Sequence, residues 1–232
     1  MNPKNMIRFT FYGHSCFEVV AGGHTLLFDP FITGNPLAAH IELSRIKPDY
    51  ILLSHGHSDH TADAISLAKN NDSTVIAVYE IAVWANKQGV DKYHPMNTGG
   101  RWKFDFGSVK CTHAVHSSSL PDGSYGGNPV GFVVELDQRK FFYSGDTALN
   151  LDMQLIRQDG PFEFIVLPIG DNFTMDAKQA VQAAKWIGCD TVIGVHYDTF
   201  GYIKIDKEEA LQTFASDGLK LLLPEIGESL TF

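Results

Sequence analysis

Basic residues are in the minority in this chain of 232 residues, with 18 Lys and Arg against 27 Asp and Glu. The resulting formal charge of −9 repels polyanions over most of the surface, which argues against wholesale binding of nucleic acid or an acidic membrane. A local basic patch stays compatible with the count. Long apolar runs are also missing. The longest are a few residues, too short to span a bilayer, and the polar start Met1 to Arg8 is not followed by the unbroken apolar segment of a signal peptide. Cysteine is scarce: Cys16, Cys111 and Cys189 are an odd number with no close pair, each in an apolar neighbourhood. Buried reduced thiols are the simpler account, and a reducing cytoplasm is the expected compartment. There is no G-x-S-x-G, P-loop or G-x-G-x-x-G, so the sequence gives no support to the cofactor chemistries those motifs serve.

What is present is enough apolar material, 44% against 19% charged, to bury a full core as one large domain or two tightly fused halves. Alternation over Met6 to Phe11, Cys16 to Val20 and His24 to Phe28 predicts an antiparallel meander. Phe31 to Pro48 reads as a long loop with a short helix around Ala38 to Ser44, and loops of that length are often functional. A strand at Tyr50 to Leu53, a helix from Thr61 to Lys69, a strand at Thr74 to Val78 and a helix from Ile81 to Lys87 follow as an α/β pattern. Strands are then expected at Arg101 to Phe104, Val109 to Ala114, Val130 to Leu136 and Lys140 to Ser144. After Asp146 the α/β pattern returns. Helices fall at Leu151 to Arg157, Asp176 to Ile187 and Lys207 to Ser216, and strands at Phe164 to Leu167, Thr191 to Val195, Leu219 to Leu223 and Glu228 to Phe232. Meander plus α/β thus occurs twice, without residue-by-residue repetition.

The densest chemistry is Ser54-His55-Gly56-His57-Ser58-Asp59-His60, directly after the apolar run Tyr50 to Leu53. Imidazole nitrogen and carboxylate oxygen are the donors that zinc, manganese and iron accept, so the stretch reads as a first coordination shell. His55 and His57, two apart, can point the same way from an extended segment, so one short loop could serve two ions. The same local design recurs. Apolar strands lead to Asp29, His55, His116, Asp146 and His196, each a metal-type donor at a strand's C-terminal end, where ligand sites of α/β sheets are built. One such tip is more often a cap or a satisfied core group; five are hard to explain as core patterning.

In this order the tips resemble the signature of the metallo-β-lactamase superfamily: Asp29, then His55 to His60, His116, Ser144-Gly145-Asp146-Thr147 and Gly194-Val195-His196-Tyr197. Gly13-His14-Ser15, Pro168 to Met175 and His196 to Phe200 look like a narrower branch, the uncharacterised metal-dependent hydrolases related to ascorbate-6-phosphate lactonases. The resemblance implies an α/β fold, a four-layer αβ/βα sandwich of two mixed β-sheets flanked by helices, with residues 1–232 forming one domain of two pseudo-symmetric halves. It implies two divalent ions, zinc foremost with manganese or iron compatible. One would take His55, His57 and His116, the other Asp59, His60 and His196, with Asp146 bridging and Asp29 orienting a ligand imidazole. Asp59, Asp146 and His14 become the candidate catalytic residues.

The expected function is a metal-dependent hydrolase that uses a metal-bound hydroxide on an ester, lactone, amide or phosphodiester bond of a small molecule. A non-catalytic metal-binding protein and a phosphodiesterase or nuclease of the same fold stay open, as does a homo-oligomer. The two-iron flavodiiron relatives are disfavoured, because His57 stands where they use a carboxylate. Of the two imidazoles in Cys111 to His116, His116 at the strand end is the expected ligand, and His113 a core imidazole or one that supports a ligand. Cys111 is expected to be the thiol nearest the site. His24, His40 and His94 lack comparable context and read as surface or packing residues. The flanking loops Phe31 to Pro36, Ser117 to Pro129 and Tyr197 to Tyr202 mix aromatics with Ser, Thr and Gly and carry no Lys or Arg. They suit a small, mostly uncharged substrate, with Lys204 the nearest basic residue in sequence.

Overall fold

The computed structural model describes residues 6–232; of the polar stretch Met1 to Arg8, residues 1–5 lie outside the described residues. β1 (Arg8–Gly13), β2 (Cys16–Ala21) and β3 (His24–Phe28) form an antiparallel meander. β4 (Tyr50–Leu53), α1 (Ser58–Thr61), α2 (Ala64–Asn71), β5 (Thr74–Val78), α3 (Tyr79–Lys87) and β6 (Tyr93–Met96) follow, and β4 to β6 extend the sheet in parallel from β3.

The second sheet repeats the plan. β7 (Arg101–Phe104), β8 (Gly107–His113), β9 (Val130–Leu136) and β10 (Arg139–Tyr143) run antiparallel. β11 (Phe164–Pro168), β12 (Thr191–Val195) and β13 (Lys220–Leu222) continue in parallel, with α4 (Met153–Ile156), α5 (Ala177–Ile187) and α6 (Lys207–Ser216) in the connections. The last strand, β14 (Ser229–Thr231), crosses back to cover the free edge of β1 in the first sheet.

Leu26 to Phe28, Ile51 to Leu53 and Phe164 to Leu167 are unbroken apolar runs that are buried throughout, as strands must be when both faces are covered. Between the sheets, Phe17 stacks on Phe9 at 4.9 Å and on Phe28 at 4.5 Å, and Phe28 meets Phe141 of the opposite sheet edge-on at 5.7 Å. Such pairs each add roughly 0.5–1.5 kcal/mol beyond the area they bury. Outside, Leu67, Ile81 and Ala85 cover the first sheet, while Ala180, Ala184, Ile187 and Phe214 cover the second. The result is a four-layer αβ/βα sandwich. α5 is well delimited: the Asp176 carboxylate accepts from Gln179 N at 2.7 Å, and Gly188, at φ +80°, ends it.

Three elements depart from the sequence expectation. β6 has no alternating pattern and contains Pro95, which a sheet tolerates because β6 is an edge strand. The helix expected at Ala38 to Ser44 is two isolated 3₁₀ turns, Pro36–Ala38 and Leu43–Arg45. The helix expected from Thr61 to Lys69 is broken at Asp63, whose carboxylate accepts from Ile32 N at 2.6 Å and Thr33 N at 2.9 Å. It clamps the long loop after β3 instead of continuing the helix. Because β3 and β4, and likewise β10, β11 and β12, run parallel, their C-terminal ends emerge along common edges, and there the polar tips collect.

Candidate metal centre

After β4 the chain stays extended through His57 (φ −61°, ψ 149°) before α1 turns. His55 Nε2 and His57 Nδ1 lie 3.0 Å apart, and His116 joins them so that the ligand atoms of all three fall within 4.8 Å of one another. His14, Asp59, His60 and His196 make a second such group. Asp146 stands between the two: its Oδ2 is 2.8 Å from His196 Nε2, 3.3 Å from His60 Nε2 and 3.8 Å from His116 Nε2. Gly145 makes that placement possible. At φ +62°, a Cβ there would sit 2.7 Å from Val130 O, so only glycine allows the turn that aims Asp146 inward. His14, Asp29 and His196 also have positive φ, at 55°, 42° and 57°, a conformation that persists for such residues only where surrounding contacts impose it.

Those contacts are visible. Asp29, fully buried, accepts from Ser54 N at 2.8 Å, Ser54 Oγ at 2.5 Å, Tyr143 Oη at 2.6 Å and His60 Nδ1 at 2.9 Å. His55 Nδ1 is 3.0 Å from Ser54 Oγ. His14 Nε2 is 3.2 Å from Asp59 Oδ2, and its Nδ1 is 3.0 Å from Thr199 Oγ1. Ser118 Oγ accepts from Gly56 N at 3.1 Å, so the loop from Ser117 to Pro129 lies over the histidine loop.

Burial lowers His14 to about 4 and holds His55, His57 and His116 below the usual imidazole range, so these rings keep a lone pair at neutral pH. Burial works the same way on His60, but the carboxylates of Asp146 and Asp29 outweigh it and hold His60 well above that range. Burial opposes charge on Asp59 and Asp146 too. The hydrogen bond from His14 overcomes it for Asp59, and His196 with His60 does so for Asp146, leaving both carboxyls below their ordinary value.

The residues fit divalent cations. Asp146 Oδ1 is buried without a hydrogen-bond partner, an arrangement that costs free energy unless something else satisfies the atom. Imidazole and carboxylate are suitable donors. The far nitrogens of His55 and His60 are held by Ser54 and Asp29, as ligand imidazoles require.

A cleft of about 840 Å³ reaches the cluster at Asp59, lined by Phe31, Ser58, Phe173, Thr199, Phe200 and Tyr202. A second cavity of about 650 Å³ shares Thr199 with it and reaches His14, and Lys204 and Lys207 belong to that wall. Lys204 therefore does not line the cleft.

One sequence expectation is corrected. His113 is not core and belongs to neither ligand group: it is half exposed, and its Nδ1 pairs with surface Asp152 at 2.9 Å, because β8 turns its last residue outward. Burial raises the Cys111 thiol, to about 12, and holds Cys16 well above its ordinary value. All three thiols are buried and free. Sequence reasoning also missed Ser54, Tyr143 and Thr199, common residue types that only their partners single out.

Comparison with known proteins identifies the family. A family model for the beta-lactamase superfamily domain matches residues 24–197. A UPF0173 metal-dependent hydrolase of Flavobacterium johnsoniae is 49% identical over 224 residues, covering 97% of this chain and 99% of that protein. One from Christiangramia forsetii is 48% identical over 225 residues, covering 97% and 99%. A solved metallo hydrolase from the archaeon Ignicoccus hospitalis superposes with a TM-score of 0.89 at 32% identity, covering 98% of this chain and 99% of that one. An isothiocyanate hydrolase from Delia radicum gut bacteria shares the fold, with a TM-score of 0.79 at 20% identity over 97% of this chain and 98% of that one. By sequence and by fold, the chain belongs to the β-lactamase superfamily, among its metal-dependent hydrolases.

Proposed function

We propose that this protein is a hydrolase of small, uncharged lactones or esters that works with two divalent metal ions, zinc foremost. The observation that supports it is the pairing of two imidazole groups through buried Asp146, with Asp59 of the second group lining an aromatic cleft that among the described residues includes no Lys or Arg. His55, His57 and His116 would hold one ion, Asp59, His60 and His196 the other, with Asp146 between them. Bound there, the ions supply Lewis acidity and an activated water.

The rest falls to the chain's own residues. Asp59, with a quarter of its side chain exposed, is the carboxylate that reaches the cleft, so it is placed to orient the attacking water. Phe31, Phe200, Phe173 and Tyr202 give flat apolar walls, and Ser58 offers a hydroxyl to a carbonyl or hydroxyl of the substrate. A dianionic phosphate would find no side-chain cation among the described residues of that lining.

Metal content after purification without chelator, followed by kcat/KM on matched neutral and phosphorylated lactones, tests the proposal. Two ions per chain, faster turnover of the neutral substrates and loss of turnover in a folded Asp59→Ala variant are expected. Substoichiometric metal after reconstitution with zinc, manganese and iron would overturn the dinuclear reading, and a strong preference for the sugar phosphate would overturn the substrate class.

A further inference from the structure

The loop after β12 carries more than His196. His196 and Asp198 both have left-handed backbones, at φ +57° and +64°. The chain doubles back on itself, with Asp198 N donating to Ile203 O at 2.8 Å and Thr199 N to Tyr197 O at 2.9 Å. The loop is pinned to the β1–β2 turn, because His196 N donates to His14 O at 2.8 Å. Thr199 Oγ1 is thereby carried to 3.0 Å from His14 Nδ1, while His14 Nε2 lies 3.2 Å from Asp59 Oδ2.

The direction of these bonds follows from donor chemistry. A carboxylate only accepts, so His14 Nε2 carries the proton that faces Asp59. In a neutral ring Nδ1 is then a lone pair, and the Thr199 hydroxyl is the donor that meets it. The other contact of that hydroxyl, Tyr197 O, is 3.4 Å away and competes weakly. Phe31 and Phe200 meet the His14 ring edge-on at 5.6 and 5.3 Å and His196 lies tilted against it at 4.3 Å, so packing confines the ring while the two hydrogen bonds engage its nitrogens.

We infer that Thr199 is a positioning residue of the metal centre, its hydroxyl holding His14 so that the ring fixes Asp59 Oδ2 and leaves Oδ1 for the ion shared with His60 and His196. The inference rests on Asp59 being a ligand, and it assigns His14 to support rather than to coordination.

The test compares Thr199→Val, of the same shape without the hydroxyl, with Thr199→Ser. In metal-free protein labelled with ¹⁵N-histidine, His14 should show a protonated Nε2 and a hydrogen-bonded Nδ1, and the Nδ1 resonance should move to that of a free acceptor in Thr199→Val but not in Thr199→Ser. In zinc titrations Thr199→Val should bind the second ion roughly 10- to 100-fold more weakly, with the first unchanged and Thr199→Ser close to wild type. A proton on His14 Nδ1, loss of the Nε2 proton on zinc loading, or equal weakening of both ions would overturn the inference. If the wild type binds a single ion, the dinuclear proposal fails, while the metal-free spectra still decide the role of Thr199.

Discussion

Asp29→Asn is the substitution that asks most of the centre. All four partners of the Asp29 carboxylate are donors: Ser54 N at Oδ1, and Ser54 Oγ, Tyr143 Oη and His60 Nδ1 at Oδ2. An amide of the same shape puts two N–H groups where three donors converge; flipped over, it sets them against Ser54 N–H at 2.8 Å. The hydroxyls can turn and accept, but each then needs a new acceptor for its own proton in a fully buried site. His60 Nδ1 can accept only if its proton moves to Nε2, the atom 3.3 Å from Asp146, and that tautomer has no lone pair for a metal. Three contacts that lose their charge assistance at about 1–1.5 kcal/mol each come to on the order of 3–5 kcal/mol. In a chain of this size that lowers Tm by roughly 6–20 °C. Melting of the metal-free protein reads the stability, and zinc calorimetry reads the centre. The ion at His60 should weaken roughly 10- to 100-fold while the ion at His55, His57 and His116 stays. A variant within about 1 kcal/mol of wild type that binds both ions normally would refute the account of Asp29 as the anchor of His60.

Elemental analysis should find one metal fewer in His116→Ala, whereas His113→Ala should keep both and melt as the wild type does; the reverse would mean the wrong imidazole has been chosen. Gly170→Ala would place a Cβ 2.0 Å from His196 O, and a backbone carbonyl can yield only by dragging His196 with it. Denaturant unfolding should show a loss of at least about 1–3 kcal/mol together with weaker metal binding, and an unchanged midpoint would show slack in that strand end. Burial raises the Glu18 carboxyl above its ordinary value, and Arg8 at 3.6 Å offsets this only in part. A folded-state pKa above the unfolded one means the ionised carboxylate costs stability at neutral pH, and that cost fades as pH falls below the unfolded value and both states protonate. Glu18→Gln should therefore melt higher than wild type at pH 7 and lose the advantage in acid, while a lower Tm at pH 7 would count against the argument.

Much of the architecture was legible because strand and helix periods are local. Ile51 to Leu53 or Phe164 to Leu167 can only be strands covered on both faces, and Asp176 to Gly188 has its own start and stop signals. The misses are places where a distant partner overruled local preference. β6 exists because β5 offers it an edge, Asp63 breaks a helix to hold the backbone at Ile32 and Thr33, and Ala38 to Ser44 yields to two short turns. At the centre, the residue types and their order along the chain were readable in advance, since coordination chemistry depends on side-chain identity and the strand ends mark where such groups emerge.

The sequence by itself determined the donors, their places at the ends of apolar strands and the family they belong to, all properties of short stretches. Only the tertiary structure decided which atoms meet. It turned His113 out to Asp152 and His116 in toward His55, set Asp146 within reach of three imidazoles, gathered Ser54, Tyr143 and His60 on Asp29, and brought Thr199 to His14 across 185 residues of chain. Serine, threonine and tyrosine have no chemistry of their own that marks them out along a chain. Their role comes from the hydrogen-bond partner that folding gives them.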